Sequence, residues 1–276
     1  MRIRRYCLHV AALVTACRLL LPVAAQADAT SDKIRERGTI TFGVILSGPP
    51  YGYIDPKTKD EFGFNIDLAR EIGRRLGANV ALVPVTPPNR VQFLQQGKVD
   101  ALIANMEWTA ERAEILNFAA TPFFRVGGAL LARKSAAVKQ WSDLKGKPVC
   151  VSQGSNYAKP LAEEFGAQVK GYPNQPESLL ALKGGNCVAA VHVAGTLRAL
   201  VKDRAEEWQD FELPLPTDLI PSDGVVWVRK GEADIQARID AILKELHGSG
   251  FILGIAEKNG LVIDDFLREA NARFKS

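Results

Sequence analysis

The chain has 276 residues, of which 47% are apolar and 24% charged. That composition sustains a packed core and excludes a disordered, collagen-like or low-complexity chain, and the length suits one large domain or two medium ones. The formal charge of +4 sits at the N-terminus: taking Arg2, Arg4, Arg5 and Arg18 from the 35 basic side chains leaves 31, equal to the 31 acidic ones. A body without net charge lacks the concentrated basic face of a nucleic-acid-binding protein, so no nucleic-acid partner is expected. His9, His192 and His247 lie far apart and no CxxC or HExxH spacing occurs, so neither a metal site nor another cofactor is expected.

In chain order, residues 1–27 read as a signal peptide. A basic start is followed by an apolar stretch over residues 7–25, and Ala25-Gln26-Ala27 fits a small-x-small cleavage site that leaves Asp28 first. Arg18 splits the stretch into pieces too short to anchor in a bilayer. Val14-Thr15-Ala16-Cys17 has the look of a lipidation site, but the leucines after it continue the apolar region instead of forming a polar tether. The expected location is the periplasm.

Strands and helices then alternate. Residues 39–45, 79–83 and 100–104 read as strands; residues 64–76 and 89–96 read as helices, the first with Ile66, Ala69, Ile72, Gly73 and Leu76 at helical spacing. The order predicts a mostly parallel sheet flanked by helices. The pattern restarts with strands at 148–152, 168–172 and 188–193 and helices at 155–165, 177–183 and 196–203. Extended runs at 127–133 and 224–229 are expected to cross between the lobes. Helices follow near 233–246, 250–258 and 263–274. The expected organisation is a signal peptide (1–27), lobe one (28–126), a crossing (127–134), lobe two (135–223), and a return crossing with C-terminal helices (224–276). Both sheets would aim their carboxyl ends into one cleft, where open α/β sheets bind ligands. Cys150 and Cys187 each sit in an apolar run, which predicts two inert core thiols; in an exported chain a disulfide between them is the alternative.

Three segments carry recognition chemistry. Asn105-Met106-Glu107 and Arg112 follow the third strand, and an Arg there can fork onto a carboxylate; its bland use is a surface pair with Glu111 or Glu114. Gln153-Gly154-Ser155-Asn156 follows strand 148–152, where Ser155 and Asn156 read as helix caps beside an anion site. Pro49-Pro50-Tyr51 can present a ring to the cleft or bury it in the core. No Ser-His-Asp or Cys-His constellation is readable, so no catalytic residue is assigned.

These segments, with Gly63-Phe64-Asn65-Ile66-Asp67, Asn89-Arg90, Thr109-Ala110-Glu111-Arg112 and Asp143-Leu144-Lys145-Gly146-Lys147, occur in an order that resembles the family-3 extracellular solute-binding proteins, the polar amino acid receptors of bacterial ABC importers. The resemblance implies a two-lobed, type II periplasmic-binding-protein fold with two crossing strands. It implies a receptor, not an enzyme, that captures a small polar amino acid or related carboxylate and delivers it to a membrane permease, with a monomer as the default state. It implies that Arg112 clamps the ligand carboxylate, that N–H groups near Ser155 and Asn156 assist, and that Tyr51 and the Asn105–Met106–Glu107 turn line the pocket. Three departures stand out: Asn65 where an acid is usual, Glu107 where Ser or Thr is usual, and Val193 where an Asp often receives the ligand ammonium. Glu107 is expected to replace that Asp from the opposite lobe; alternatively the ligand has no amino group. The rival class is an exported cyclohexadienyl dehydratase-like enzyme, but Ala194-Gly195-Thr196 supplies no acid where those enzymes place one. A membrane-fused ligand sensor is a further class.

Overall fold

The computed structural model describes residues 29–275. The signal peptide expected over residues 1–27, with Cys17, lies outside the described residues. A helix that the periodicity did not reveal, Ala29–Arg37 (α1), leads into Thr39–Val44 (β1). Ile40, Phe42 and Val44 share one apolar cluster because side chains alternate along a strand. A short ribbon, Tyr53–Ile54 (β2) with Glu61–Phe62 (β3), precedes the helix Phe64–Leu76 (α2). Helix α2 buries Phe64, Ile66, Leu68, Ala69 and Ile72 and ends at Gly77, whose φ of 71° is a left-handed conformation that a side chain would strain. Asn79–Pro84 (β4), Arg90–Gln95 (α3), Ala101–Ile103 (β5), Ala110–Ile115 (α4) and Leu116–Phe118 (β6) follow.

The second lobe comprises Phe124–Arg133 (β7), Pro148–Ser152 (β8), Ala158–Glu163 (α5), Gln168–Tyr172 (β9), Gln175–Lys183 (α6) and Ala189–Val193 (β10). Ala194–Asp203 (α7), Phe211–Glu212 (β11) and Leu219–Gly224 (β12) complete it. Trp227–Arg229 (β13) then rejoins the first sheet, and Ala233–Gly248 (α8), Phe251–Lys258 (α9) and Asp265–Phe274 (α10) pack at the C-terminal end.

The first sheet has the order β4-β1-β5-β13-β6, with β1 parallel to β4 and β5 and β13 antiparallel to its neighbours. The second runs β11-β7-β10-β8-β9, with β12 also on β7; β8, β9 and β10 are parallel and β7 is antiparallel. Both faces of each sheet are covered. On β5, Ala101 and Ile103 enter one cluster and Leu102 another; on β8, Val149 and Val151 enter one and Cys150 another. Burial on both sides is what made these strands read as continuous apolar runs. The result is an α/β molecule of two lobes, each a mixed sheet flanked by helices.

Two expectations are corrected. The run expected to cross between lobes, 127–134, is most of β7 and pairs with β10, β11 and β12 inside the second sheet. The chain passes between the sheets earlier, over residues 119–123, and returns over residues 225–226, beside the pairing of Phe124 with Gly224. Cys150 and Cys187 are not free thiols; they are bonded, with Cα atoms 5.8 Å apart. Apolarity showed that both are buried. The structure shows more: Cys150 lies opposite Ala190 on adjacent parallel strands, and Cys187, in the turn just ahead of β10, packs into the same cluster.

Candidate functional site

The site is a cavity between the lobes, at the carboxyl ends of β1, β5, β8 and β10. Its first wall is the turn after β5. Asn105 has a positive φ of 46°, a conformation costly for a side chain-bearing residue. Four consecutive carbonyls hold the turn. Arg90 Nη1 donates to the oxygens of Ala104 and Asn105 at 2.6 and 2.7 Å. Trp227 Nε1 donates to Met106 O at 2.7 Å, and Arg112 Nη1 to Glu107 O at 2.6 Å. Asn65 Nδ2 donates to Asn105 Oδ1 at 2.7 Å. That bond gives Asn65 a use: where the resemblance expects an acid, this chain places an amide that fixes the turn. With the backbone oxygens engaged, the side chains of Asn105 and Glu107 line the cavity.

The second wall is the turn after β8. The helix expected to start at Ser155 starts at Ala158, so Ser155 and Asn156 lie in the preceding turn and do not cap it. Gly154 has a φ of 74°, and its carbonyl accepts from Arg112 Nη2 at 3.0 Å and Arg90 Nη2 at 3.3 Å across the cleft. Tyr157 OH donates to Glu107 Oε1 at 3.0 Å, also across the cleft. Ser155 Oγ accepts from the Tyr157 amide, and both Nδ2 and Oδ1 of Asn156 are buried without a partner among the described residues. Such a carboxamide in a cavity wall is a group awaiting a donor and an acceptor.

The electrostatics are concentrated on lobe one. Glu107 is 1% exposed, and its Oε2 lies 3.9 Å from Arg112 Nη1. Burial, and then repulsion from Arg112, pulls the Arg90 guanidinium down to about 9, so it remains cationic at neutral pH. Burial lowers Arg112 as well, with Glu107 opposing the change. Burial raises the Tyr157 phenol, and the Glu107 carboxylate raises it further, so Tyr157 is a neutral donor. His192 lines the cavity; its Nε2 lies 2.8 Å from Ser178 Oγ, and burial pushes it down to about 3, leaving a neutral ring.

Of the residues expected at the site, Asn105, Glu107, Ser155 and Asn156 line the cavity together. Arg112 stands behind them, bridging the carbonyls of both walls. Met106 does not line it: it is 2% exposed and packs in the core, on the other side of the turn from its neighbours. Tyr51 does not line it either. It is buried against Phe64 and Phe124, with its hydroxyl against Gly195 of the second lobe. Arg90, Tyr157, Asn174 and Gln175 line the cavity without having been singled out as binding groups, and His192 on β10 borders it while packed against Ser178. One signal was present for Arg90: it shares the buried face of α3 with Leu94, four residues on, where an unpaired cation is out of place.

Residues 40–261 match the family described as bacterial extracellular solute-binding proteins, family 3. The chain belongs to this family. The ABC transporter glutamine-binding protein GlnH of Bacillus subtilis strain 168 is 28% identical over 222 residues, 79% of each chain. Among solved structures, a mutant of ArgBP from T. maritima has a TM-score of 0.76 at 30% identity, covering 84% of this chain and 99% of that one. The solute receptor for L-cysteine of Neisseria gonorrhoeae has a TM-score of 0.77 at 27% identity, covering 84% and 93%. These likenesses run through both lobes of this solute-binding protein and so take in the inter-lobe cavity.

Proposed function

We propose that the chain is the periplasmic receptor of an amino acid ABC importer, that it works as a monomer after loss of residues 1–27, and that it binds without catalysing a reaction. The observation that carries this reading is the set of charges at one cavity: the buried Glu107 carboxylate and Arg90 guanidinium line it, and Arg112 stands behind them with Nη1 3.9 Å from Glu107 Oε2. A zwitterion matches it. The ligand carboxylate faces Arg90 and the turn at Ser155 and Asn156, with Arg112 adding its charge from behind the wall, and the ligand ammonium faces Glu107, which takes over from the missing acid at Val193. The relatives support the class: their names specify glutamine, cystine, and glutamate or aspartate, and one neighbour holds arginine. Those molecules share little beyond the α-amino acid group. A carboxylate without an ammonium would leave Glu107 facing it unneutralised, which disfavours that alternative.

Every cavity-lining side chain from lobe two is uncharged, since His192 is neutral there. Ligand capture is therefore ionic on lobe one, and closure adds hydrogen bonds from Ser155, Asn156 and Tyr157. The ligand favours the closed form by contacting both walls at once, and the closed form docks on the permease. The test is a thermal-shift and calorimetric panel on refolded protein freed of carried-over ligand. It uses the amino acids, simple carboxylates and prephenate. A ligand at 1,000 times its Kd adds about 4 kcal/mol, which at roughly 2–4 °C per kcal/mol is a shift of about 8–16 °C. Shifts with amino acids, lost in Arg112→Ala, support the reading. No shift with any amino acid, or turnover of prephenate, overturns it.

A further inference from the structure

The inner cavity has a volume of about 50 Å³, and at about 10–15 Å³ for each water-sized group it admits about three to five such groups. That is the size of an ammonium, an α-carbon and a carboxylate, with little left for a side chain. A second chamber of about 380 Å³ opens beside it, and Ser47 and Gln175 line both. Ser47 and Gln175 come from opposite lobes, so the boundary that the two chambers share spans the cleft. The outer chamber lies between the loop after β1 and the facing surfaces of α6 and α7. Leu179, Ala199, Leu200 and Trp208 provide an apolar wall, and Leu180 stands at the rim, 70% exposed. The charges at its outer end sum to zero over Lys183, Asp203, Arg204 and Glu207: Lys183 and Arg204 both pair with Glu207, and Lys183 also lies over the Trp208 ring.

We infer that the outer chamber is the side-chain subsite, and that the ligand is an α-amino acid with an extended, methylene-stemmed side chain. The side chain leaves the inner cavity between Ser47 and Gln175 and lies along Leu179, Leu200 and Trp208. The inference rests on the amino acid reading proposed above, because it is the α-amino acid group that fills the inner cavity. It adds that selectivity is set outside that cavity, by α6 and α7 of the second lobe, and that chain length is what the protein measures.

The test is calorimetry with an unbranched series: alanine, 2-aminobutyrate, norvaline, norleucine and 2-aminoheptanoate. In the parent protein, affinity rises along the series, by about fourfold for each methylene that becomes fully buried. Ala199→Phe fills the chamber and is expected to abolish the rise while leaving alanine affinity within about twofold. Leu180→Glu, at an exposed rim position that tolerates substitution, reduces the gain for the two longest members and covers the case in which Ala199→Phe fails to fold. Alanine binding with affinity flat along the series overturns the chamber and spares the amino acid reading. A rise that persists unchanged in both variants also overturns it. No binding by any amino acid overturns the function proposed above, and the chamber with it.

Discussion

Replacing Glu107 by Gln tests the charge pattern at the cavity with little change of shape. The variant keeps an oxygen for the Tyr157 hydroxyl, which sits 3.0 Å from Oε1. It keeps the backbone carbonyl that Arg112 holds at 2.6 Å. What it loses is the negative charge facing the ligand ammonium and lying 3.9 Å from Arg112 Nη1. A hydrogen bond to a charged group contributes roughly 1.5–3 kcal/mol, so amino acid affinity falls roughly 10- to 150-fold. The ligand-free protein also loses stability, because a buried guanidinium without its counter-charge is costly; the two carbonyls on Arg112 keep that loss below the roughly 3–5 kcal/mol of a fully broken buried pair. Simple carboxylates of the same length behave in the opposite sense, since removing Glu107 removes a repulsion: their affinity stays level or rises. Isothermal titration of both ligand types against parent and variant, with unfolding midpoints as the control for folding, reads all three quantities. Equal amino acid affinity in parent and variant would refute Glu107 as the ammonium receptor. Equal losses for amino acids and simple carboxylates would show that Glu107 acts only by latching Tyr157 across the cleft.

Three further outcomes follow from the geometry. The disulfide closes a span of 37 residues, which in the chain-entropy estimate stabilises the fold by about 4 kcal/mol, so the Cys150→Ala, Cys187→Ala double variant unfolds roughly 8–16 °C lower in a thermal melt; an unchanged midpoint would remove the bond from the stability account. His192 has an ordinary value of 6.5 and a folded value of about 3 because burial opposes its charge. The unfolded chain therefore binds the extra proton as pH falls, and stability drops by about 1.4 kcal/mol per pH unit below about 6.5. Urea midpoints of ligand-free protein at pH 7 and pH 5 should show this, with a shallower dependence in His192→Asn; an identical slope in the variant sinks the assignment. Gly195 lies in α7, where alanine would ordinarily add up to about 1 kcal/mol of helix stability, yet a Cβ there would sit 2.6 Å from the Tyr51 hydroxyl of the other lobe. Gly195→Ala should thus weaken ligand affinity and enlarge the radius of gyration in solution scattering without lowering the melting midpoint; a parent-like affinity would place the Tyr51 contact outside the closing motion.

Much of the fold was legible because periodicity and burial agree in it. Strand β8 and helix α2 have the bounds that their apolar patterns gave, and both are covered on the faces those patterns named. The crossing was misplaced because β7 is apolar along most of its length for a different reason: it is an antiparallel member of a sheet buried on both faces. At the site, the segment after β5 was legible through Arg112, and the lining role of Asn105 and Glu107 came from the family resemblance. Tyr51 was not, because the sequence of a Pro-rich loop does not say which way its aromatic ring turns; the ring joined Phe64 and Phe124. Arg90 was overlooked because its task is indirect: it ties down Ala104, Asn105 and Gly154 and only incidentally faces the cavity.

On the function proposed above, the departures that the resemblance points to form one rearrangement. Lobe two, with Val193 in place of the acid that the resemblance leads one to expect, presents neutral groups to the cavity, and Glu107 gives lobe one both signs of charge. The two lobes then do different work. Charged contacts contribute roughly 1.5–3 kcal/mol each and neutral hydrogen bonds roughly 0.5–1.5 kcal/mol. On those magnitudes lobe one supplies most of the affinity before closure, and lobe two supplies a smaller increment that arrives only when the cleft shuts. On that reading the buried carboxamide of Asn156, without a partner among the described residues, is where the ligand supplies part of that increment, since a buried polar group left unsatisfied costs roughly 1–3 kcal/mol. Tyr157 limits how far this goes. Its hydroxyl already reaches Glu107 across the cleft, so closure without ligand has one favourable contact of its own. On the proposed reading the ligand ammonium shares Glu107 with that hydroxyl, so the same carboxylate is both the charge reader of lobe one and the latch to lobe two.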